Sequence, residues 1–223
     1  MFEYTVIRSN RKTLSVIIER DKRVIVRAPE DLSEDRITFE LQKRQRLIEK
    51  KINSDQKFKN DYPPKEFESG EQFLYQGKYY TLEINFTHQQ SIYFGNTIKI
   101  TAINKANAKS ILLNWYKQKA IEILTPRISF FAEHIGVKRK KINITDAKYT
   151  WGTCTPSGTL NFNWRLIKAP LEVVDYIVIH ELSHLRESNH SPEFWNIVAV
   201  QMPNYEESKD WLKEYGNLLD EDF

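Results

Sequence analysis

From Leu171 to Leu185 the chain is apolar on nearly every side of a helix, and this stretch constrains the rest of the fold. Leu171, Val174, Val178, Leu182 and Leu185 recur at helical spacing and form one stripe. Val173, Ile177, His180 and His184 trace a second, apolar until it reaches the histidines. A helix that is apolar all round is a buried one. Ala169-Pro170 precedes it, and Pro is favoured at the first helical position. Glu172 and Asp175 lie in or near the first turn, where carboxylates suit the helix dipole. Asn189 is the expected stop of this helix. Ser191-Pro192-Glu193 then reads as an N-cap, a first-position Pro and a first-turn acid. His190 is therefore expected at the corner between two helices.

The stretch from His180 to His190 holds three of the five histidines. His180-Glu181-Leu182-Ser183-His184 fits His-Glu-x-x-His. On a helix, residues four apart share a face, so His180 and His184 can send two imidazoles to one metal ion. Glu181 is next to the first of them and can reach a water at the metal without binding the metal. Zinc suits two imidazoles, and a catalytic zinc keeps three protein ligands and one open position. His190 is the natural third ligand. A chance match would lack the third histidine, the buried helix and the corner.

The 223 residues suffice for one large domain or two small, intimately packed ones. No apolar run approaches a membrane span. Met1-Phe2-Glu3-Tyr4 lacks the basic-then-apolar plan of a signal peptide. Cys154 is alone, which excludes an intramolecular disulfide and a Cys-rich zinc ribbon within this sequence. The expected compartment is the cytoplasm, and Cys154 reads as a small packed residue. Net charge is +3, from 33 basic and 30 acidic residues, too weak to imply nucleic acid. Two basic clusters stand out: Lys43, Arg44, Arg46, Lys50 and Lys51, then Lys138 to Lys141. The first falls on a predicted helix and reads as its solvated face.

In chain order, strands are predicted at Tyr4–Arg8, Thr13–Glu19 and Val24–Val26, the last two joined by a turn at Arg20–Arg23. A helix capped by Ser33 runs to about Ile52, with Ile37, Leu41, Leu47 and Ile48 as its apolar face. A polar connection ends in Pro63-Pro64. Hairpins are predicted about Gln76-Gly77 and Gly95-Asn96. A long helix runs from Asn104 to about His134, with Ile111, Leu112, Trp115, Ile121, Ile123 and Leu124 as its apolar residues. Pro126 should kink or break it, and Gly136 ends it. Lys141–Asp146 reads as a strand and Trp151–Gly158 as turn-rich. Leu160, Phe162, Trp164 and Leu166 alternate with Asn161, Asn163 and Arg165, the pattern of a half-buried strand. Helices at Pro192–Gln201 and Tyr205–Leu219 close the chain.

The sequence resembles the YgjP-like metallopeptidase domain family, related to the SprT-like zinc peptidases. The resemblance covers nearly the whole chain. Trp151-Gly152-Thr153-Cys154 carries it, as do Leu160 to Pro170 and His180-Glu181-x-x-His184 through Asn189-His190-Ser191 to Phe194-Trp195. Arg11-Lys12-Thr13-Leu14, Val26-Arg27-Ala28-Pro29 and Gly77-Lys78-x-Tyr80 match in the N-terminal half. Thr150 departs from the pattern, which usually has a basic residue before Trp-Gly. The resemblance implies zinc ligands at His180, His184 and His190, with Glu181 as general base. It implies an α+β fold in which an N-terminal β-rich region with one helix, residues 1–103, packs on a helical zincin-like core with a short sheet, residues 104–223. The two regions are expected to form one compact unit.

The expected reaction is zinc-dependent hydrolysis of a peptide bond in a protein or peptide substrate. Tyr149, Arg165 and Arg186 are candidates for stabilising the developing oxyanion. Asp175 and Glu187 are candidates for orienting a ligand imidazole. The Leu160–Leu166 strand is expected to line the cleft and offer an exposed edge to an extended peptide. One rival reading is a DNA-associated protease that finds its targets through the basic clusters. The other is a metal-stabilised binding module without turnover. The sequence leaves the oligomeric state open.

Overall fold

A computed structural model describes residues 2–11, 13–18, 24–53, 65–147 and 150–220, without the side chains of residues 50–53. The predicted turn at Arg20–Arg23, the Pro63-Pro64 connection, Lys12 and Tyr149 lie outside the described residues. Met1–Lys59 form one compact unit and Asn60–Phe223 another. The division expected near residue 103 thus falls inside the second unit.

In the first unit, β1 (Tyr4–Ser9), β2 (Ser15–Ile18) and β3 (Val24–Pro29) precede α1 (Glu34–Asn53). The central strand is β3, parallel to β1 and antiparallel to β2. Its Val24, Val26 and Ala28 alternate inward and are fully buried with Ile37, Leu41 and Ile48 of α1. Leu47, expected on that face, is 72% exposed, one position off the stripe. Ser33 Oγ accepts the Arg36 N–H at 3.4 Å, the cap its position promised.

The second unit opens with β4 (Gln72–Tyr75), β5 (Lys78–Phe86), β6 (Ser91–Phe94) and β7 (Ile98–Ala102), in the order β4-β5-β7-β6. Both predicted hairpins form, and a parallel β5–β7 pair joins them. α2 (Lys105–Ile135) follows, capped by Asn104 Oδ1, which accepts the Asn107 N–H at 2.9 Å. It runs unbroken through Pro126. That residue is exposed, so water can take the carbonyl it deprives of a partner.

The buried residues of α2 are Ala108, Leu112, Tyr116, Ala120, Leu124, Ile128, Ala132 and Ile135. Each step of four carries the stripe about 40° beyond a full turn, so the buried face winds around the helix and meets successive neighbours. Tyr116 donates to the Leu74 carbonyl at 2.7 Å and its ring lies 5.5 Å from Trp164. Farther along, Arg127 Nη1 bonds both carboxylate oxygens of Asp175, at 2.6 and 2.7 Å. Ile121, expected on the apolar face, is exposed because the stripe has turned away from it.

β8 (Lys141–Thr145), β9 (Gly152–Cys154) and β10 (Thr159–Asn163) form a second sheet with β10 in the middle. β10 ends three residues before the predicted Leu166, and a tight 3-10 turn spans Trp164–Lys168. Asn163 is the reason. It is buried, caps that turn by accepting the Arg165 N–H at 3.0 Å, and donates to the Ala147 carbonyl at 2.8 Å. Trp164 and Leu166 remain buried, so the alternation marked burial correctly but not the backbone.

The chain then enters α3 (Leu171–Ser183), α4 (Pro192–Gln201) and α5 (Tyr205–Tyr215), the last continued by a 3-10 turn at Gly216–Asp220. The tip of the β4–β5 hairpin holds the approach to α3. Gln76 N–H donates to the Ile167 carbonyl at 3.0 Å and Gly77 N–H to the Lys168 carbonyl at 2.7 Å. Among the described residues, no helix is long and apolar enough to cross a membrane.

Candidate metal centre

Both histidines of the pentapeptide lie at the C-terminal end of α3. The helix stops at Ser183, six residues before the predicted Asn189, and His184 is its C-cap at φ −64°, ψ −16°. His184 thus keeps helical backbone angles, and the four-residue spacing still sets both rings on one face. A tight turn follows, with the Leu185 and Arg186 N–H groups bonded to Leu182 and Ser183 carbonyls at 3.0 Å. The earlier stop brings the chain back sooner. Ser191 Oγ accepts the Phe194 N–H at 3.3 Å and starts α4, leaving His190 at the corner.

There the three imidazoles converge. Ligand atoms of His180, His184 and His190 lie within 4.8 Å of one another. His180 Nε2 and His190 Nε2 are 3.0 Å apart. A tetrahedral ion at ordinary metal–imidazole distances sets its ligand nitrogens roughly 3.3 Å apart, so the donor set fits one such ion. His184 Nδ1 faces the Glu187 carbonyl at 3.2 Å. A carbonyl only accepts, so Nδ1 carries the proton there and Nε2 is left as the free base. Burial, followed by its two histidine neighbours, pushes His180 down to about 3. Burial also lowers His184. These rings are thus held in the neutral form that binds metals.

Phe194 packs against all three rings, at centroid distances of 4.9, 4.6 and 4.8 Å from His180, His184 and His190. It is fully buried. Trp195 stacks on His190 at 5.7 Å, and Tyr205 stacks on Trp195 at 5.4 Å. Lys209 Nζ sits 4.9 Å over the Trp195 ring.

Glu181 packs against β9. A Cβ built on Gly152 would meet Glu181 Cγ at 2.6 Å and Oε1 at 2.9 Å. Glu181 is 6% exposed, and burial pushes its carboxyl up to about 7, opposed by a hydrogen bond from the Cys154 backbone N–H.

The model of the YgjP-like metallopeptidase domain matches residues 12–215. The chain belongs to that family. No curated protein matches it. The crystal structure of the metallopeptidase zymogen of Pyrococcus abyssi abylysin is 24% identical, covering 45% of this chain and 98% of that one, with a TM-score of 0.39. A likeness at that level decides nothing about fold or site.

Within this YgjP-like domain the remaining candidates have other partners. Asp175 is taken by Arg127. Glu187 serves His184 through its backbone carbonyl, while its Oε1 accepts the Asn189 N–H at 3.1 Å. Arg165 pairs with Asp146, approaches Asp220 at 4.0 Å and lies 4.4 Å from the Trp164 ring centre. Arg186 donates to the Ile135 carbonyl at 3.2 Å and lines a cleft beside His184.

Residue reasoning missed Gly152, Phe194 and Trp195. Their only signal was membership of the motifs that carried the family resemblance. Trp151–Gly158, expected to be turns, holds β9, because three residues suffice once β10 supplies the partner.

Proposed function

We propose that this YgjP-like domain is a zinc-dependent peptidase acting on a protein or peptide substrate. His180, His184 and His190 are its metal ligands and Glu181 its general base. One observation carries this reading: three imidazoles converge within 4.8 Å, with a buried carboxyl on the residue next to the first of them. Bound there, zinc would polarise the scissile carbonyl and lower the pKa of a water to about 7.

The chain's own work is proton handling and placement. Glu181, pushed up to about 7, can take a proton from the attacking water and release it to the leaving amine near neutral pH. The Cys154 N–H fixes where that carboxylate points. His184 is oriented by the Glu187 carbonyl, and His190 by the Trp195 ring.

The expected peptide edge on β10 needs correction. β10 pairs with β8 on one side and β9 on the other, so it has no free edge. Trp151 and Thr155 bond toward β10, through Asn163 N–H and Thr159 O respectively. By alternation, Gly152 and Cys154 turn their backbone groups outward, toward Glu181. β8 and β9 are the outer strands, and β9, which packs beside Glu181, is the edge this reading assigns to an extended substrate.

The test is Glu181→Gln, which keeps the shape and leaves the imidazoles untouched. Turnover of an unfolded-protein substrate should fall by about 10²–10⁴-fold, with zinc content and melting temperature unchanged. A zinc-loaded Glu181→Gln protein with full activity would rule out the assigned mechanism.

A further inference from the structure

A cleft of about 440 Å³ opens beside His184. Three short segments build it: Gly136–Lys138 after α2, the Thr155–Gly158 turn between β9 and β10, and His184–Arg186 after α3. The walls are tied together, since Lys140 N–H donates to the Gly158 carbonyl at 2.8 Å. Lys138 and Arg186 line the cleft, and no carboxylate does. Neither cation has a carboxylate partner among the described residues. Arg186 is held in place by the Ile135 carbonyl at 3.2 Å, so its remaining N–H donors are pre-positioned. Ser157 Oγ stands 2.9 Å from Thr155 Oγ1, which already accepts the Thr159 N–H at 3.0 Å. Two unpaired cations and a hydroxyl within one concave surface call for an anion. His184 lines the same cleft, so an anion held there would lie beside the proposed metal site.

We propose that this cleft is a substrate subsite for a carboxylate, supplied by an acidic side chain or by the C-terminus of the peptide. The proposal rests on the peptidase reading of the same site and adds the substrate class. It also gives a role to Lys138, the first residue of the basic run Lys138–Lys141.

The experiment uses the zinc-loaded full chain and matched fluorogenic peptides that differ only by Glu, Gln or Lys at each position in turn. A further pair ends in a free carboxylate or its amide. At one position, or at the free terminus, the acid should be favoured about tenfold in kcat/KM, chiefly through KM. Lys138→Gln should remove that preference and Lys138→Glu should turn it toward Lys-containing peptides. The position that responds tells a side-chain carboxylate from a terminal one. In parallel, binding of the same labelled peptides to the Glu181→Gln protein is followed by fluorescence anisotropy. If no peptide is cleaved but acidic peptides still bind through Lys138, the subsite stands and the peptidase reading falls. Equal treatment of Glu and Gln peptides in turnover and binding overturns the subsite. So does an acidic preference indifferent to Lys138, or Lys138-dependent binding of duplex DNA that outcompetes every acidic peptide.

Discussion

Gly152 and Glu181 are in contact so close that the strand residue has no room for a side chain: an added Cβ would lie 2.6 Å from Glu181 Cγ. The glycine of the Trp-Gly-Thr-Cys motif is thereby explained by the carboxyl it faces. Gly152→Ala must push Glu181 aside, because the short β9 is fixed through its pairing with β10. The variant should lose about 1–3 kcal/mol of stability from overpacking. Misplacing a proton acceptor by about 1 Å can cost about a hundredfold in turnover. Zinc content should not change, since no imidazole is among the atoms that the added Cβ would meet. Kinetics and metal analysis on one preparation check this; wild-type kcat in Gly152→Ala would show that Glu181 tolerates the shift.

Trp195 should matter to the metal and not only to the core. His190 lies in an exposed corner, and ring stacking on Trp195 at 5.7 Å is what orients it there, backed by Tyr205 and Lys209. Trp195→Ala should weaken zinc binding by about tenfold or more, as loss of groups that orient a ligand does. Trp195→Phe keeps a ring and should recover most of it. Competition with a chromogenic chelator reads the affinity, and the d–d spectrum of the cobalt-substituted protein reads the ligand geometry. Equal affinities in all three proteins would sink the orienting role.

Metal affinity should fall on acidification. Imidazole binds metal only as the free base, so protons compete with the ion, and unperturbed histidine titrates near 6.5. Burial holds His180 down at about 3 and lowers His184, so zinc should be retained as the pH falls past that ordinary value and released only on further acidification, whereas chelator at neutral pH should release it without acid. Equilibrium dialysis at a series of pH values measures this. Complete release of zinc already at about pH 6.5 without chelator would show that the buried rings protonate as exposed ones do.

The convergence of the three imidazoles was legible in the sequence because its determinants are local. His180 and His184 share a helical face, and Ser191-Pro192 starts the next helix just past His190. What depends on pairing between distant segments was not legible. β9 is three residues long and carries a glycine, so no periodicity announces it, yet it fixes Glu181. The alternation from Leu160 to Leu166 named four buried residues, but Asn163 bends the backbone between the second and third. The parallel β1–β3 and β5–β7 pairs join segments that hairpin signals cannot connect. On α2 the buried stripe drifts around the helix, so no single fixed face marks it.

Gly77 should be a stability determinant although it lies in a turn far from α3 in sequence. Gln76 and Gly77 have φ of 49° and 74°, the pair of left-handed residues that a two-residue hairpin turn requires. A side chain at Gly77 costs about 1–2 kcal/mol for that conformation alone. It also meets Pro170 Cγ at 2.9 Å and Cα at 3.4 Å. The proline ring is stiff and begins the approach to α3, so it cannot swing aside as a flexible side chain would. Overpacking of this kind adds about 1–3 kcal/mol. Gly77→Ala should therefore lower the melting temperature by roughly 5–15 °C for a unit of this size. Gln76→Gly is the counter-test. It keeps the backbone bond to the Ile167 carbonyl and removes a strained side chain, so the melting temperature should hold or rise. Thermal denaturation of both variants decides the matter. If Gly77→Ala melts with wild type, the hairpin tip does not clamp the start of α3. If only Gln76→Gly is destabilised, the left-handed turn geometry is not what sets the cost.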